Sequence, residues 1–361
     1  MPRCLIVPAL LALLACSPTQ APVEQPTPSA SDVATAAAPQ EEATPQRGGS
    51  PVPLVVHSAD GALALLDPVT GARRELKQKA AIYFAGSIET GSTRPVVSPD
   101  GRWVAYLTED GRNVKVTSLL DGETRSLTDL PGGADVETVI SGWSPDSAGL
   151  LYHLGESGSL DDDLLPLPEG VTTGFYYAPV GEAPRKLDHI KAYTAWSRPG
   201  AVVDNAMKEG GAYALIEQPL DPSEPTRTLA TVKGSYGFSQ LQIRGGEVVY
   251  MRDGEAVRGK LGEEPTPITP AMDFATLQWP KLSPTGERVV ILFDGKLALV
   301  EDAATPPRVL APCGALCTVR WYGDDALVAS SQTMGVVFID LKAGTTRELT
   351  PDGGVVVIGS E

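Results

Sequence analysis

Val97-Ser98-Pro99-Asp100-Gly101-Arg102-Trp103-Val104-Ala105-Tyr106 and Trp143-Ser144-Pro145-Asp146-Ser147-Ala148-Gly149-Leu150-Leu151-Tyr152 are two copies of one pattern. Each sets a Ser-Pro-Asp turn before a short apolar run that ends in an aromatic. Looser copies follow at Trp196-Ser197-Arg198-Pro199-Gly200, Leu282-Ser283-Pro284-Thr285-Gly286 and Trp321-Tyr322-Gly323-Asp324-Asp325. The spacing is 46 residues from Ser98 to Ser144, 53 from Trp143 to Trp196 and 42 from Trp279 to Trp321. The 83 residues from Trp196 to Trp279 hold two periods, with Gly237-Phe238-Ser239 as a degenerate copy midway. A period of about 40–50 residues built from short strands is that of a β-propeller blade.

The turn chemistry supports this. Ser-Pro-Asp-Gly suits a type I turn, with proline fixing φ at its second position. It joins the first strand of a blade to the second. β-rich runs follow at 102–107, 149–154, 247–251 and 288–293. A third strand and a Thr-Gly or Asp-Gly turn lead to the fourth, as in Leu63-Ala64-Leu65-Leu66-Asp67-Pro68-Val69-Thr70-Gly71-Ala72-Arg73-Arg74-Glu75-Leu76. The first segment, 54–76, holds only three strands, and Val355-Val356-Val357-Ile358 is one isolated strand. Paired, they complete a blade and close the ring, removing the sheet edges an open array would expose. The expected fold is all-β: a propeller of seven four-stranded blades, or six if the unit near Phe238 is not a full blade.

The repeats resemble those of TolB-like propellers, in which a W-S-P-D-G-type turn is followed by an apolar strand and later by G-x-x-R-x-L-T. The second half is matched by 67–76, by Asp121-Gly122-Glu123-Thr124-Arg125-Ser126-Leu127-Thr128 and by 340–350. The resemblance covers 54–360. Its periplasmic member works beside an outer-membrane lipoprotein and has a helical N-terminal domain, in whose place this chain carries a tether. The same propeller caps the hydrolase domain of prolyl oligopeptidase-like enzymes.

The first fifty residues are read as address and tether. Arg3 precedes an apolar run over 5–14, too short to span a bilayer and of signal-peptide length. It ends on Leu13-Leu14-Ala15-Cys16, which resembles a lipobox, so cleavage before Cys16 would leave a lipidated cysteine. Residue 17 is Ser, not the Asp that favours inner-membrane retention, so an outer-membrane lipoprotein facing the periplasm is expected. Residues 17–50 contain six prolines and no aromatic. They cannot bury enough surface to offset the entropy of ordering, and as a coil would span roughly 30 Å. The expected domains are therefore 1–15, signal peptide; 16–50, lipidated cysteine and tether; and 51–361, propeller.

The formal net charge of −16 repels phosphate backbones, so nucleic acid is not an expected partner. The lipid supplies the membrane attachment, and the chain is expected to be a monomer. Cys313 and Cys317 stand close enough to form a local disulfide in an oxidising compartment; a redox pair or half a metal site is the alternative. There is no Gly-x-Ser-x-Gly elbow, and Gly155-Glu156-Ser157-Gly158-Ser159 lacks its spacing. The three histidines, His57, His153 and His189, lie far apart, and no phosphate-binding glycine loop opens a helix. No catalytic residue, cofactor or metal is expected, and the chain is expected not to be an enzyme.

One irregularity remains. Residues 155–174 lengthen the connection between the second and third strands of their blade and contain Leu160-Asp161-Asp162-Asp163-Leu164. Three consecutive aspartates lack the alternating spacing of an EF-hand loop. A partner-docking loop, a calcium site and a solvated loop are the three readings. By blade topology this connection opens on the rim that also carries the Cys313–Cys317 linker. The functional expectation is an envelope protein-interaction module. The alternative is a propeller enzyme, or a binder of small molecules, sugars or peptides, that uses the central channel.

Overall fold

The computed structural model describes residues 54–357, apart from 59, 69, 82–94, 132–135, 156–170, 209, 210, 234–238, 270–276, 302–304, 315, 316, 332–334 and 351–354. Residues 51–361 form one compact unit. Within it the described residues build strands and no helix.

Blade 1 contributes β1 (Leu54–His57), β2 (Ala62–Leu66) and β3 (Arg73–Lys79). Blade 2 is β4 (Val96–Val97), β5 (Trp103–Leu107), β6 (Val114–Ser118) and β7 (Thr124–Ser126). Blade 3 is β8 (Glu137–Trp143), β9 (Gly149–Gly155), β10 (Gly174–Pro179) and β11 (Arg185–Lys186). Blade 4 is β12 (Ala195–Arg198), β13 (Ala201–Met207), β14 (Ala212–Pro219) and β15 (Arg227–Lys233). Blade 5 is β16 (Ser239–Arg244), β17 (Glu247–Arg252), β18 (Glu255–Lys260) and β19 (Thr266–Pro267). Blade 6 is β20 (Leu277–Leu282), β21 (Val289–Phe293), β22 (Lys296–Val300) and β23 (Arg308–Pro312). Blade 7 is β24 (Thr318–Trp321), β25 (Ala326–Ser331), β26 (Gly335–Asp340) and β27 (Thr345–Thr350). The last strand, β28 (Val355–Val357), pairs with β1 through Val55↔Val357, Val56↔Val356 and His57↔Val355. All seven sheets are four-stranded, the unit near Phe238 included, so the ring has seven blades and its termini close it.

The core lies between blades. Leu107, Val114 and Val116 of blade 2 pack on Ile140, Trp143, Leu150 and Tyr152 of blade 3. Val290, Leu297 and Leu299 of blade 6 meet Val319, Leu327 and Val337 of blade 7 in the same way. Because a neighbour covers each face of a blade, its second strand reads as a continuous apolar run, not an alternating one. In β5, four of the five residues are buried.

The repeated motif residues hold this arrangement together. In the first copy, Gly101 N donates to Ser98 O at 2.8 Å, Ser98 Oγ donates to Asp100 Oδ1 at 2.6 Å, and Trp103 N donates to Ser98 Oγ at 3.0 Å. The second copy repeats this: Ser147 N donates to Ser144 O at 2.9 Å and Gly149 N to Ser144 Oγ at 3.0 Å. Ser147 takes the left-handed conformation, φ 63°, that Gly101 holds at 71°. Its hydroxyl accepts from Asp100 N of the preceding blade at 2.9 Å, a contact glycine could not make. The motif tryptophan is also a blade-to-blade clasp. Trp143 Nε1 donates to Val96 O and Trp321 Nε1 to Lys281 O, both at 3.0 Å, each reaching the inner strand of the blade before it.

The arginine of G-x-x-R-x-L-T works in the opposite direction, reaching the next blade's turn between third and fourth strands. Arg74 donates to Leu119 O at 2.7 Å, and Arg125 to Pro179 O and Glu182 O at 3.1 and 2.8 Å. Arg347 donates to Pro68 O across the closure. Charged donors to carbonyls are among the stronger hydrogen bonds, which explains the recurrence of the arginine without a catalytic role.

Blade 4 departs from the pattern. Its Pro199-Gly200 pair forms a tighter turn, with Arg198 opposite Ala201 and Gly200 at φ 75°, as a type II turn requires at that position. With no aspartate in the turn, the Ser197 hydroxyl donates instead to Glu217 Oε1 on β14 at 2.7 Å. Glu217 is 2% exposed and meets Arg227 Nε at 2.6 Å and Arg198 Nε at 3.5 Å. Burial alone would raise its pKa, but hydrogen bonds from Arg227 and Ser197 outweigh that and hold it below the usual value. Its stabilising contribution is therefore complete above the unfolded-state pKa and lost as pH falls through the folded one. Arg227→Met should cost about 2 kcal/mol, below the usual penalty for breaking a buried pair because both arginines are half exposed. Urea unfolding at neutral pH checks this, and Glu217→Gln should flatten the stability curve below about pH 4.5.

Candidate interaction rim

Antiparallel blades divide their connections between two rims. Turns joining strands one to two and three to four share the first rim, which the serine, aspartate and arginine contacts stitch together. Turns joining strands two to three, and the linkers between blades, share the second.

The second rim is the irregular one. The connection between β9 and β10 covers 156–173, against two to six residues in the other six blades. Leu160, Asp161, Asp162, Asp163 and Leu164 lie within it and outside the described residues. The linker from β23 to β24 carries Cys313 bonded to Cys317, with Cα atoms 5.3 Å apart. Cys313 N and Gly314 N both donate to Gly295 O, at 2.7 and 2.9 Å, laying the linker on the turn of blade 6. The left-handed φ of Gly295, 66°, lets its carbonyl serve both donors, and a Cβ there would stand 3.6 Å from Gly314. The bond pins a loop. Among the described residues no three His, Cys, Asp or Glu side chains gather as metal ligands.

Among the described residues, three of the six buried polar atoms without a hydrogen-bond partner belong to strand ends or turns on this rim: His57 Nε2, Arg112 Nη1 and Thr350 Oγ1. His57, 2% exposed, closes β1; burial lowers its pKa against the opposing pull of the Ala80 backbone and Asp60. His153 lies two residues before the end of β9, with its ring 4.7 Å from that of Phe175, and burial lowers its pKa despite Glu137. Met207, at the end of β13, is 70% exposed. A histidine whose folded pKa is depressed takes up its proton more readily when unfolded. Stability should therefore fall as pH drops from about 6.5 towards the folded value, by at most about 1.4 kcal/mol per pH unit for each histidine. In unfolding measurements at pH 7.5 and 5.5, His57→Gln should lose much of this dependence, leaving the share of His153.

The sequence singled out the long connection and the cysteines. It did not reveal that His57 Nε2, at the end of β1, and Arg112 Nη1, in the turn after β5, lack hydrogen-bond partners.

No protein-family model and no curated protein matches the sequence. Solved structures do. A puromycin-hydrolysing peptidase of Mycobacterium tuberculosis matches over 82% of this chain and 51% of its own, at 19% identity and a TM-score of 0.56. An acylaminoacyl peptidase of Pyrococcus horikoshii matches over 80% and 48%, at 15% identity and a TM-score of 0.50. TolB of Acinetobacter baumannii matches over 84% and 64%, at 12% identity and a TM-score of 0.42. This chain spans about half the length of the peptidases. At such identities the likeness is one of fold, and it corrects one expectation: absence of a catalytic motif does not make the chain a non-enzyme, because peptidases carry this same propeller. The reading that the chain is not an enzyme is withdrawn.

Proposed function

We propose that the chain is a binding propeller of the bacterial cell envelope, anchored through lipid on Cys16, that docks another envelope protein on its second rim. The division of labour between the rims carries this reading. The motif side chains on the first rim are engaged in blade-to-blade contacts. The second holds the 156–173 connection and the disulfide-pinned linker. Loops positioned by a rigid scaffold are where binding residues concentrate.

On this reading Leu160 and Leu164 supply apolar contact, while Asp161, Asp162 and Asp163 favour a basic patch on the partner. Electrostatic attraction of this kind acts chiefly on the association rate. The tether of 17–50 lets the propeller search the space beside the membrane.

Two measurements test the reading. Cys16→Ser should abolish palmitate labelling and release the protein from the membrane fraction. Replacing Asp161, Asp162 and Asp163 by Ser should remove a specific envelope protein from material isolated with the chain after membrane solubilisation. An unchanged set of co-isolated proteins would refute docking through this loop.

A further inference from the structure

A cleft between blades 2 and 3 opens on the stitched rim beside the Arg125 and Trp143 contacts. Its volume is about 250 Å³, and it is walled by Trp103, Trp143, Leu150 and Val180, with Glu123 and Arg125 at its mouth. That volume lies just below the roughly 300–1,000 Å³ of drug-sized sites, so it has room for one ring and a short chain.

The repeat does not require this cleft. Trp103 stands five residues after the motif serine. At the same step in blade 3, Gly149 makes way for the Tyr177 ring, which lies where a Cβ would be, 2.5 Å away. In blade 6, Arg288 at that step donates to Asp324 O at 3.0 Å and pairs with Asp325 at 2.9 Å, stapling blade 6 to blade 7. In blade 2 the position carries an indole that is half-buried and leaves open space beside it.

The mouth carries one charge of each sign, Glu123 and Arg125, and the two differ in what they leave open to a ligand. The two terminal nitrogens of Arg125 are turned to Pro179 O and Glu182 O of blade 3. Trp143 is 2% exposed and its Nε1 donates to Val96 O, so it backs the cleft and offers no donor. Glu123 is exposed and forms no side-chain ion pair among the described residues. An indole wall with a free carboxylate at the mouth favours an organic cation: the ring faces attract it, and the carboxylate adds Coulomb attraction. We propose that this cleft binds a small amphipathic amine, its apolar body against Trp103 and Val180 and its ammonium at Glu123.

The test uses the propeller at low ionic strength and three isosteric probes, phenethylammonium, 2-phenylethanol and 3-phenylpropionate, titrated by saturation-transfer NMR. Phenethylammonium should bind at least five-fold more tightly than 2-phenylethanol, and 3-phenylpropionate least tightly. Glu123→Gln should erase the preference for the cation while leaving 2-phenylethanol unchanged. Val180→Phe, which fills the cleft, should abolish binding of all three with the melting temperature retained; Trp103→Leu provides a second route to the same loss. Lack of saturable binding, a preference that survives Glu123→Gln, tighter binding of the carboxylate, or binding indifferent to both cleft variants would each overturn the proposal.

Discussion

Trp143→Ala should lower the free energy of unfolding by about 4 kcal/mol, the cost of emptying a large aromatic site. Trp143 is 2% exposed, and its indole nitrogen bonds to Val96 O at 3.0 Å. The sharper variant is Trp143→Phe. It keeps a ring in the site but leaves Val96 O without its donor, and should cost roughly 2–3 kcal/mol from the lost bond and the small void together. Trp196, the matching residue of blade 4, should behave differently. It is 6% exposed, yet its Nε1 has no partner. By the register of the other blades its acceptor would be Gly142 O, but β8 shifts register between Ile140 and Gly142, and Gly142 sits at φ 141°. Trp196→Phe removes a buried donor that has already lost its water, a gain of about 1–3 kcal/mol that offsets the void. Its net effect should be near zero. Urea unfolding of both variants checks the contrast, and equal costs would refute the assignment of Trp143 as a hydrogen-bonded clasp.

Removal of β28 should have the other large effect. Truncation after Gly354 takes away the inner strand of blade 1 and its three ladder positions on β1. It also uncovers the edge next to Leu54, Val55 and Val56, all at most 2% exposed. The two to four hydrogen bonds that three antiparallel positions carry, at about 1 kcal/mol each, plus the newly exposed apolar surface, give a loss on the order of 5 kcal/mol. That equals the whole stability of a marginal domain. The open edge should also promote aggregation. A peptide of residues 351–361 added in trans should restore the melting temperature in a concentration-dependent way, since it binds only the folded state. Calorimetry of the truncated chain with and without the peptide decides this. A truncation that leaves stability unchanged would mean the ring is not closed by the termini.

Much of this architecture was legible because its devices are local. Ser98-Pro99-Asp100-Gly101 carries its own turn and its own hydrogen bonds, so its recurrence could be read as blades. The lone strand at 355–357 could be matched to the three-stranded start at 54–76 by counting. What stayed hidden was whatever depends on a neighbour's backbone. The carbonyls that receive Arg74, Arg125 and Trp143 have no sequence signature, so the motif residues read as a family mark and not as clasps. The bulge at Gly142 and the room beside Trp103 arise from how two blades meet, which no single blade encodes. The exclusion of enzymatic function failed for a related reason: a propeller's own repeats are silent about the chemistry that the same fold accompanies in peptidases.

Docking on the second rim is tested most directly in living cells. Photo-crosslinking residues placed at Leu160 and Leu164 should each capture one dominant envelope protein, identified by mass spectrometry, and replacing Asp161, Asp162 and Asp163 by Ser should abolish the capture. The same residue placed at Leu120, which is 74% exposed on the stitched rim, should capture none. Equal capture from both rims, or none from Leu160 and Leu164 in a chain that is normally anchored and folded, would contradict the account.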